Sequence, residues 1–329
     1  MKAIQLQETG SFDSLKLVEI ETPSSRDTQI LVRMVAISVN YADTLIRKGT
    51  YSIMPPLPTI PGLEGSGVVE KVGPQVTHVL PGQPVIVFHP HCYAEYVLAD
   101  SQTVFPISHQ IRLDKAATLS VVYLTAYHLL FTMGMIRPRQ TILVHAAAGG
   151  VGTALAQLAT GKEVTLIGLT SSEEKARHAK DQDFHYLINT KEKNIVQRVH
   201  DLTAGQGADL NLNSVAGDTL ARDIEMLIHF GQVIWYGFTG GAPEGNLTDQ
   251  LLPHLGKSVG IRFFSLSSIV QSDGRMMRDT MNHLIKKLAS QRIKPYIFER
   301  LSLSDAGRAH ELLESRAVMG NIILQPSMM

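Results

Sequence analysis

The sequence predicts an α/β protein made of a small β-rich, barrel-like domain and a doubly wound parallel sheet. Three observations carry this reading. From about residue 141 to about 264, strand-like and helix-like runs alternate, the pattern of a parallel sheet with helices on its faces. The first hundred residues instead hold short alternating runs separated by Gly/Pro turns, the texture of a small barrel-like β domain. Between 141 and 160 a β-branched run, a glycine turn and a strong helix former follow one another directly.

Composition bounds the possibilities. A chain of 329 residues, 44% apolar and 18% charged, is long enough for two domains with substantial cores. Thirty basic and thirty acidic residues cancel, which argues against nucleic acid or an anionic membrane as the main partner. The N-terminus MKAIQLQETG has no apolar signal core, and no apolar run reads as long enough to span a bilayer, so the expectation is a soluble, cytoplasmic protein. Cys92 is the only cysteine, which rules out an intramolecular disulfide and a cysteine-rich zinc lobe.

In order along the chain, AIQLQ and LKLVEI alternate as two strands, and Gln29–Asn40 reads as a longer one. Asn40 to Arg47 begins a short helical turn, and the proline-rich segment 51–61 is loop. Gly62–Gly73, VIVF after Pro84, and Cys92–Asp100 read as further strands. Leu113–Met133 has helical spacing and few turn residues. The later strands are TILVHA, EVTLIG, HYLIN, ADLNLN, GQVIWYG and SVGIRFF. They alternate with the helices TALAQLA, SEEKARHAKD, NIVQRVHDLT, TLARDIEMLI and TDQLLPHL. Beyond Phe264 the pattern is mainly helical, at 275–290 and 304–316, before a last strand NIILQP.

The glycine turn points to chemistry. Ala146, Gly149 and Gly152 stand three residues apart between strand and helix, with Gly150 beside them. This is a shifted form of the dinucleotide-binding fingerprint: absent side chains let backbone N–H groups approach a pyrophosphate, and the helix end behind supplies a positive dipole. A tight strand–helix turn without a ligand is the plainer alternative. An NAD site wants an acid at the end of the second strand to hold the ribose 2′-hydroxyl. That strand ends Gly168-Leu169-Thr170-Ser171-Ser172, with hydroxyls, a following Lys175 and no acid, which suits a 2′-phosphate. Ser171-x-x-Glu174 also reads as a capping box, with Lys175 and Arg177 on a solvated helix face.

The runs VNYADTLIRKGTY (39–51), PGLEGSGVVEKVG (61–73), YAEYV (93–97), YLTAYHLL (123–130), HAAAGGVG with Gln157, SSEEK (171–175), AHELLES (309–315) and GNIIL (320–324) resemble the zinc-free medium-chain dehydrogenases/reductases of the quinone oxidoreductase, ζ-crystallin-like branch. The resemblance spans nearly the whole chain. It implies a GroES-like β-barrel catalytic domain (1–122 and 265–329), a Rossmann NADP-binding domain (123–264), an active site in the cleft between them and a homodimer. It departs from the family at Lys162-Glu163-Val164, where Leu-Gly-Ala is usual, at Asp183 for a common glycine, at Thr190 for a tyrosine, and at Leu212-Asn213-Ser214 for YDS. Gly161 can cap the preceding helix instead.

The resemblance places Asn40, Asp43 and Tyr51 at the catalytic cleft, to orient substrate or nicotinamide. Each has a local alternative: Asn40 as a helix cap, Asp43 paired with Arg47, Tyr51 as packing. It implies NADPH as cofactor, contacted by Tyr41, Thr125, Gly149, Gly150, Val151, Ser171, Ser172, Lys175, Thr190, Ser214, Val215, Tyr236, Gly237, Phe238, Phe264 and Gly320. Tyr236 and Phe264 also read as ordinary core aromatics. Asn40 stands where the alcohol dehydrogenases have their first zinc cysteine. The cluster His89, His91 and Cys92 is spaced too tightly for tetrahedral zinc and reads as a surface turn, so no metal is expected. The expected reaction is hydride transfer from NADPH to a small quinone, with an enone, enal or enoyl thioester as the alternative acceptor, and a non-enzymatic, crystallin-like nucleotide binder as a third reading.

Overall fold

A computed structural model describes residues 1–243, 245–272 and 274–327. In chain order its strands begin with β1 (Lys2–Leu6), β2 (Leu15–Glu19), β3 (Gln29–Val39), β4 (Glu64–Val72), β5 (Pro84–Phe88), β6 (Tyr96–Asp100) and β7 (Val104–Pro106). Then come β8 (Thr141–Val144), β9 (Thr165–Thr170), β10 (Tyr186–Asn189), β11 (Ala208–Asn213), β12 (Leu227–Trp235), β13 (Gly260–Phe263), β14 (Ile297–Ser302) and β15 (Asn321–Gln325). The first helices are α1 (Tyr41–Lys48), α2 (Leu113–Ala116), α3 (Leu124–Tyr127), α4 (Gly150–Ala159), α5 (Glu173–Lys180) and α6 (Ile195–Leu202). The remainder are α7 (Thr219–Glu225), α8 (Leu247–Leu251), α9 (Leu266–Ser272), α10 (Gly274–Ala289) and α11 (Ala306–Glu314).

The chain divides into two compact units, Met1–Leu124 with Asp273–Met329, and Thr125–Ser272. The sequence reading drew these lines at 122/123 and 264/265. In the first unit β14-β15-β3-β4-β5-β7 form one sheet, with β6 also on β3. All its pairings are antiparallel except β14 with β15. Its core gathers Ile30, Val32, Met34 and Val39 from β3 with Val85, Val87 and Val97, and closes with Leu301, Ala309, Ile322 and Leu324 from the end of the chain. β14 departs from the mainly helical pattern expected after Phe264. Its sequence IFERLS puts two charges mid-strand, and only two of its six residues are buried, so it carries little periodic signal.

In the second unit the order is β10-β9-β8-β11-β12-β13, every pair parallel. The chain winds outward from β8 to β10, returns, and winds the other way from β11, so β8 and β11 flank the switch point. Leu143, Ile167, Leu169, Ile188, Val199 and Ala208 form one cluster on this sheet. The run Leu113–Met133 includes π-helical turns at Leu119–Tyr123 and His128–Met133. Contrary to the sequence reading, it is long and apolar enough to cross a membrane; the polar residues Ser120, Thr125 and His128 had masked this. Those three are buried, as is most of the run, which identifies it as a core helix.

Two backbone positions show the fold holding a conformation that the side chain does not favour. Asp183 has φ +69°, and Glu163, the middle residue of Lys162-Glu163-Val164, has φ +55°. These are the two places where the resemblance expects glycine, and the left-handed turn persists without it. Gly161 follows the Thr160 cap of α4 at φ +76°, as expected of a helix-ending glycine. Replacing Glu163 by Gly removes the Cβ–carbonyl repulsion, so Glu163→Gly is expected to stabilise the protein by about 1 kcal/mol, less whatever the freer unfolded chain takes back. Asp183→Gly should gain less, because a short polar side chain tolerates this geometry better. Urea unfolding of the two variants measures both.

Candidate active site

In the second unit the expected cofactor residues assemble along one edge of the parallel sheet. β9 ends at Thr170, β10 at Asn189, β11 at Asn213, β12 at Trp235 and β13 at Phe263. Ser171, Thr190, Ser214, Tyr236 and Phe264 are the next residues in each case, with Ser172, Val215, Gly237 and Phe238 just beyond. This carboxyl edge, at the switch point, is where open α/β sheets bind ligands. The turn after β8 is stitched to both neighbours: His145 N–H donates to Leu212 C=O (3.0 Å) on β11, and Ala147 N–H to Leu169 C=O (3.1 Å) on β9.

Gly149 is the N-cap of α4, and Gly150 and Val151 are its first helical residues. The first ladder bond runs from Thr153 N–H to Gly149 C=O (2.9 Å), so the amides of Gly150, Val151 and Gly152 have no partner within the helix. A Cβ on Gly152 would stand 2.4 Å from the Ala147 carbonyl oxygen. The helix therefore lies too close to the turn for any other residue. Ala146 opens the turn at φ +49°, a left-handed conformation held without glycine.

At the end of β9, Lys175 Nζ lies 3.3 Å from Ser171 Oγ. The capping box expected from Ser171 to Glu174 does not form, and the helix starts one residue later with a simple cap. Ser172 is the N-cap, its Oγ accepting from Lys175 N–H (3.3 Å), because β9 runs on through Thr170 and uses Ser171 as the turn. Glu173 and Glu174 are exposed. Thr170 is 4% exposed, with its Oγ1 buried and unpartnered, and Thr190 N–H donates to its carbonyl (2.7 Å). Burial pushes the Tyr236 phenol up to about 12, with Ser214 hydrogen-bonded to it. Phe264 is buried, whereas Phe238 is 46% exposed. Thr125, 9% exposed, lies on the core helix, where the His128 ring stands 6.5 Å from that of Phe264.

A buried network that no motif announced braces this edge. His145 Nε2 lies 2.7 Å from Asp223 Oδ1, Asn213 Nδ2 donates to Asp223 Oδ2 (2.5 Å), and Asn213 Oδ1 accepts from the N–H groups of Val215 and Ala216 (2.7 and 2.8 Å). Asn213, the departure from the YDS pattern, thus fixes the turn carrying Ser214 and Val215. The only hint in the sequence was a pair of asparagines inside the apolar strand ADLNLN.

In the first unit, Asn40, Tyr41 and Asp43 lie at the start of α1, which leaves the end of β3. Gly320 belongs to the same end of the sheet: it lies two residues before Ile322, which pairs with Val39. Asn40 is the N-cap, and the Asp43 carboxylate reaches back to accept its N–H (2.8 Å), the reciprocal bond of a capping box. Asp43 does not pair with Arg47. The Arg47 guanidinium is buried and turns to Glu314 of α11, which also takes Lys48 Nζ (2.8 Å).

Asn40 Nδ2 donates to Glu64 Oε1 (3.1 Å), and Glu64 Oε2 accepts from Val121 N–H (2.7 Å) and Ser120 Oγ (3.3 Å). Two fully buried carboxylates thus grip Asn40 from either side. Burial pushes Asp43 up to about 7 against the opposing pull of Asn40 N–H, Tyr93 and Gly62 N–H. Burial likewise pushes Glu64 up to about 7, with the Asp43 charge adding to it. Burial and the nearby Asp43 charge raise the half-buried Tyr51 phenol, so it remains a hydrogen-bond donor. Glu64, Tyr93 and His310 were missed from sequence. Glu64 was the most visible, as a lone charge in the strand EGSGVV.

The His89–Cys92 segment is less of a surface turn than expected. His91 is exposed, but Cys92 is fully buried and donates its Sγ–H to His89 C=O (3.0 Å), because it leads directly into core residue Tyr93. Among the described residues no three His, Cys, Asp or Glu side chains gather as a metal-binding group.

Residues 150–283 match the family described as zinc-binding dehydrogenase, and residues 26–109 the alcohol dehydrogenase GroES-like domain. The expected pairing of a GroES-like and a Rossmann-type unit is borne out. The quinone oxidoreductase of Rattus norvegicus is 31% identical over 98% of this chain and 97% of that protein. Quinone oxidoreductase 1 of Escherichia coli K12 is 32% identical over 98% and 99%. Among solved structures, Escherichia coli quinone oxidoreductase complexed with NADPH is similar at TM-score 0.93 and 31% identity, covering 99% of this chain and 100% of that one. A mycobacterial protein complexed with NADPH is similar at TM-score 0.93 and 30% identity, with coverage of 99% and 100%.

The two raised carboxyls have a consequence for stability. The folded protein keeps protons on Asp43 and Glu64 that the unfolded chain releases above about pH 4. Their contribution is therefore complete below about pH 4 and is lost as pH rises through about 7. Urea midpoints taken at pH 5, 6.5 and 8 are expected to fall with rising pH. Asp43→Asn, which cannot ionise, should flatten that slope.

Proposed function

Because the chain belongs to the quinone oxidoreductase family of the medium-chain dehydrogenases/reductases, we propose that it is an NADPH-dependent quinone reductase, transferring hydride to a small quinone without a metal ion. One observation carries the reading: a glycine turn with free helix-end amides at the switch point, beside a second strand that ends in hydroxyls and a lysine rather than an acid. These residues fit NADPH. The amides of Gly150, Val151 and Gly152 would hold its pyrophosphate, and Ser171, Ser172 and Lys175 its 2′-phosphate. When bound, the coenzyme supplies the hydride.

The chain's own residues bind and orient. Asn40, fixed between Asp43 and Glu64, and Tyr51, kept protonated, offer donors to the oxygens of the acceptor. A quinone requires no strong base, because its reduced oxygens take protons from water. The donor set supports the metal-free reading. Asn40 replaces a zinc cysteine, Cys92 is buried against His89 C=O, and His91 points to solvent. Tyr51 also favours a second reading, reduction of an enone, where a phenolic O–H would serve protonation beside the new C–H bond.

The second unit leaves β13 as an edge strand among the described residues, and Phe263 (64% exposed) and Leu255 (77% exposed) lie on or next to it. An open edge with exposed apolar residues favours a second copy, so the protein is read as a homodimer.

Steady-state assays should show NADPH oxidised by small quinones faster than by enones; the reverse order would favour the second reading. Lys175→Ala is expected to raise KM for NADPH roughly tenfold and leave KM for NADH nearly unchanged, since it removes one charged contact to a phosphate. Light scattering should give twice 36.1 kDa, and Leu255→Glu with Phe263→Glu should give the monomer with NADPH binding retained.

A further inference from the structure

Helices α1 and α11 meet through two rungs, each pair of residues four apart on its own helix. Arg47 pairs with Glu314 on one rung. On the other, Asp43 and His310 are joined by Tyr93: its phenolic oxygen lies 3.1 Å from Asp43 Oδ2 and 3.1 Å from His310 Nε2. All three side chains are fully buried, and the Tyr93 and His310 rings pack edge to face at 5.9 Å. A Cβ on Gly62, at φ +94°, would stand 2.3 Å from the Tyr93 ring, so the Gly62 backbone lies directly against that ring and only glycine fits there.

The hydrogen-bond direction along this chain can be derived. His310 Nδ1 is buried with no partner. A buried N–H without an acceptor forfeits its hydrogen bond at a larger cost than an unused nitrogen lone pair. The neutral imidazole therefore carries its hydrogen on Nε2 and donates to the phenolic oxygen. The phenol has one hydrogen, and the only acceptor left to it is Asp43 Oδ2. That same oxygen accepts the Asn40 N–H.

We propose that Tyr93 and His310 are positioning residues for the substrate site: the tautomer of His310 aims the Tyr93 phenol at Asp43, and Asp43 so held fixes the Asn40 cap and the carboxamide beyond it. This rests on Asn40 serving the quinone reaction, and it adds two residues that touch neither substrate nor cofactor. Burial, together with the nearby Arg47 and Lys48 charges, pushes His310 down to about 3, which keeps it neutral. The groups facing Asp43 are Tyr93 and Cys92 from the segment before β6, Glu64 from β4 and Tyr51 beyond α1. The phenol is the one among them that lowers Asp43. Deleting its hydroxyl must therefore move the carboxyl further up.

The test compares the full-length protein with Tyr93→Phe. Nitrogen NMR of labelled histidine, assigned by loss of the signal in His310→Gln, should show His310 as the Nε2–H tautomer, untitrated between about pH 5 and 9. The infrared band of protonated carboxyl groups, assigned with Asp43→Asn, should titrate at higher pH in Tyr93→Phe by roughly half a unit or more. The acid limb of kcat/KM for the quinone should move with it, while NADPH affinity stays unchanged. His310→Gln keeps a donor towards the phenol and should restore most of the profile; His310→Leu should not. An Nδ1–H tautomer, or an unmoved Asp43 midpoint in a folded Tyr93→Phe protein, overturns the proposal. Absence of quinone turnover by the unsubstituted protein would overturn the activity reading instead, and the spectroscopic shift would still support the tautomer and its grip on Asp43.

Discussion

A carboxyl group taken out of water needs hydrogen-bond partners, and this requirement organises both units. In the first, Asp43 and Glu64 recruit the backbone amide and carboxamide of Asn40 from the junction of β3 and α1, the Tyr93 phenol from the segment before β6, and the Val121 amide from the helix after α2. In the second, Asp223 on α7 recruits His145 from the end of β8 and Asn213 from the end of β11. In each unit at least one of the donors, Asn40 after β3, His145 after β8 and Asn213 ending β11, stands at a strand end that carries candidate site residues. Satisfying one buried carboxyl therefore also fixes the geometry of a binding edge. The arrangement is intolerant: removing one donor leaves a carboxyl oxygen unsatisfied in a dry interior.

The glycine turn shows a different economy. Only Gly152 is dictated by space, because the Ala147 carbonyl lies against it. Elsewhere the unusual backbone survives without glycine, at Ala146, Glu163 and Asp183. Backbone hydrogen bonds, some within the turn and some from distant segments, hold these turns. Glu163 C=O, for instance, accepts from Arg139 N–H at 2.7 Å, and Ala146 C=O from Gly149 N–H at 2.9 Å. A fingerprint in sequence thus underestimates how many residues can support a phosphate-binding turn.

The parallel sheet was legible because most of its strands are compact apolar runs and most of its helices amphipathic ones. The edge of candidate cofactor residues followed from knowing where those strands end. β14 was not legible, since its charges sit mid-strand and its stability comes from pairing with β15. The cap at Ser172 was missed by one residue because two adjacent serines offer the same local signal. Asp43 was read as a partner of Arg47 by helical spacing, but spacing cannot see Glu314, which lies 267 positions away in the chain. Tyr93 and His310, 217 positions apart, were silent for the same reason. A lone histidine in AHELL gives its burial by periodicity and nothing of its partner.

The first unit is assembled from the two ends of the chain, with β15 laid against β3 and α11 against α1. During synthesis this has a strict order. Residues 125–272 have all left the ribosome before β15 exists, so the nucleotide-type sheet is free to close while β3 still lacks a neighbour on one side. Arg47 and Asp43 are made early and must wait for Glu314 and His310, each 267 positions further along the chain. The nascent protein therefore passes through a stage in which one half is finished and the other carries an open β edge. That interval is when a chaperone, or another nascent copy, has access to it.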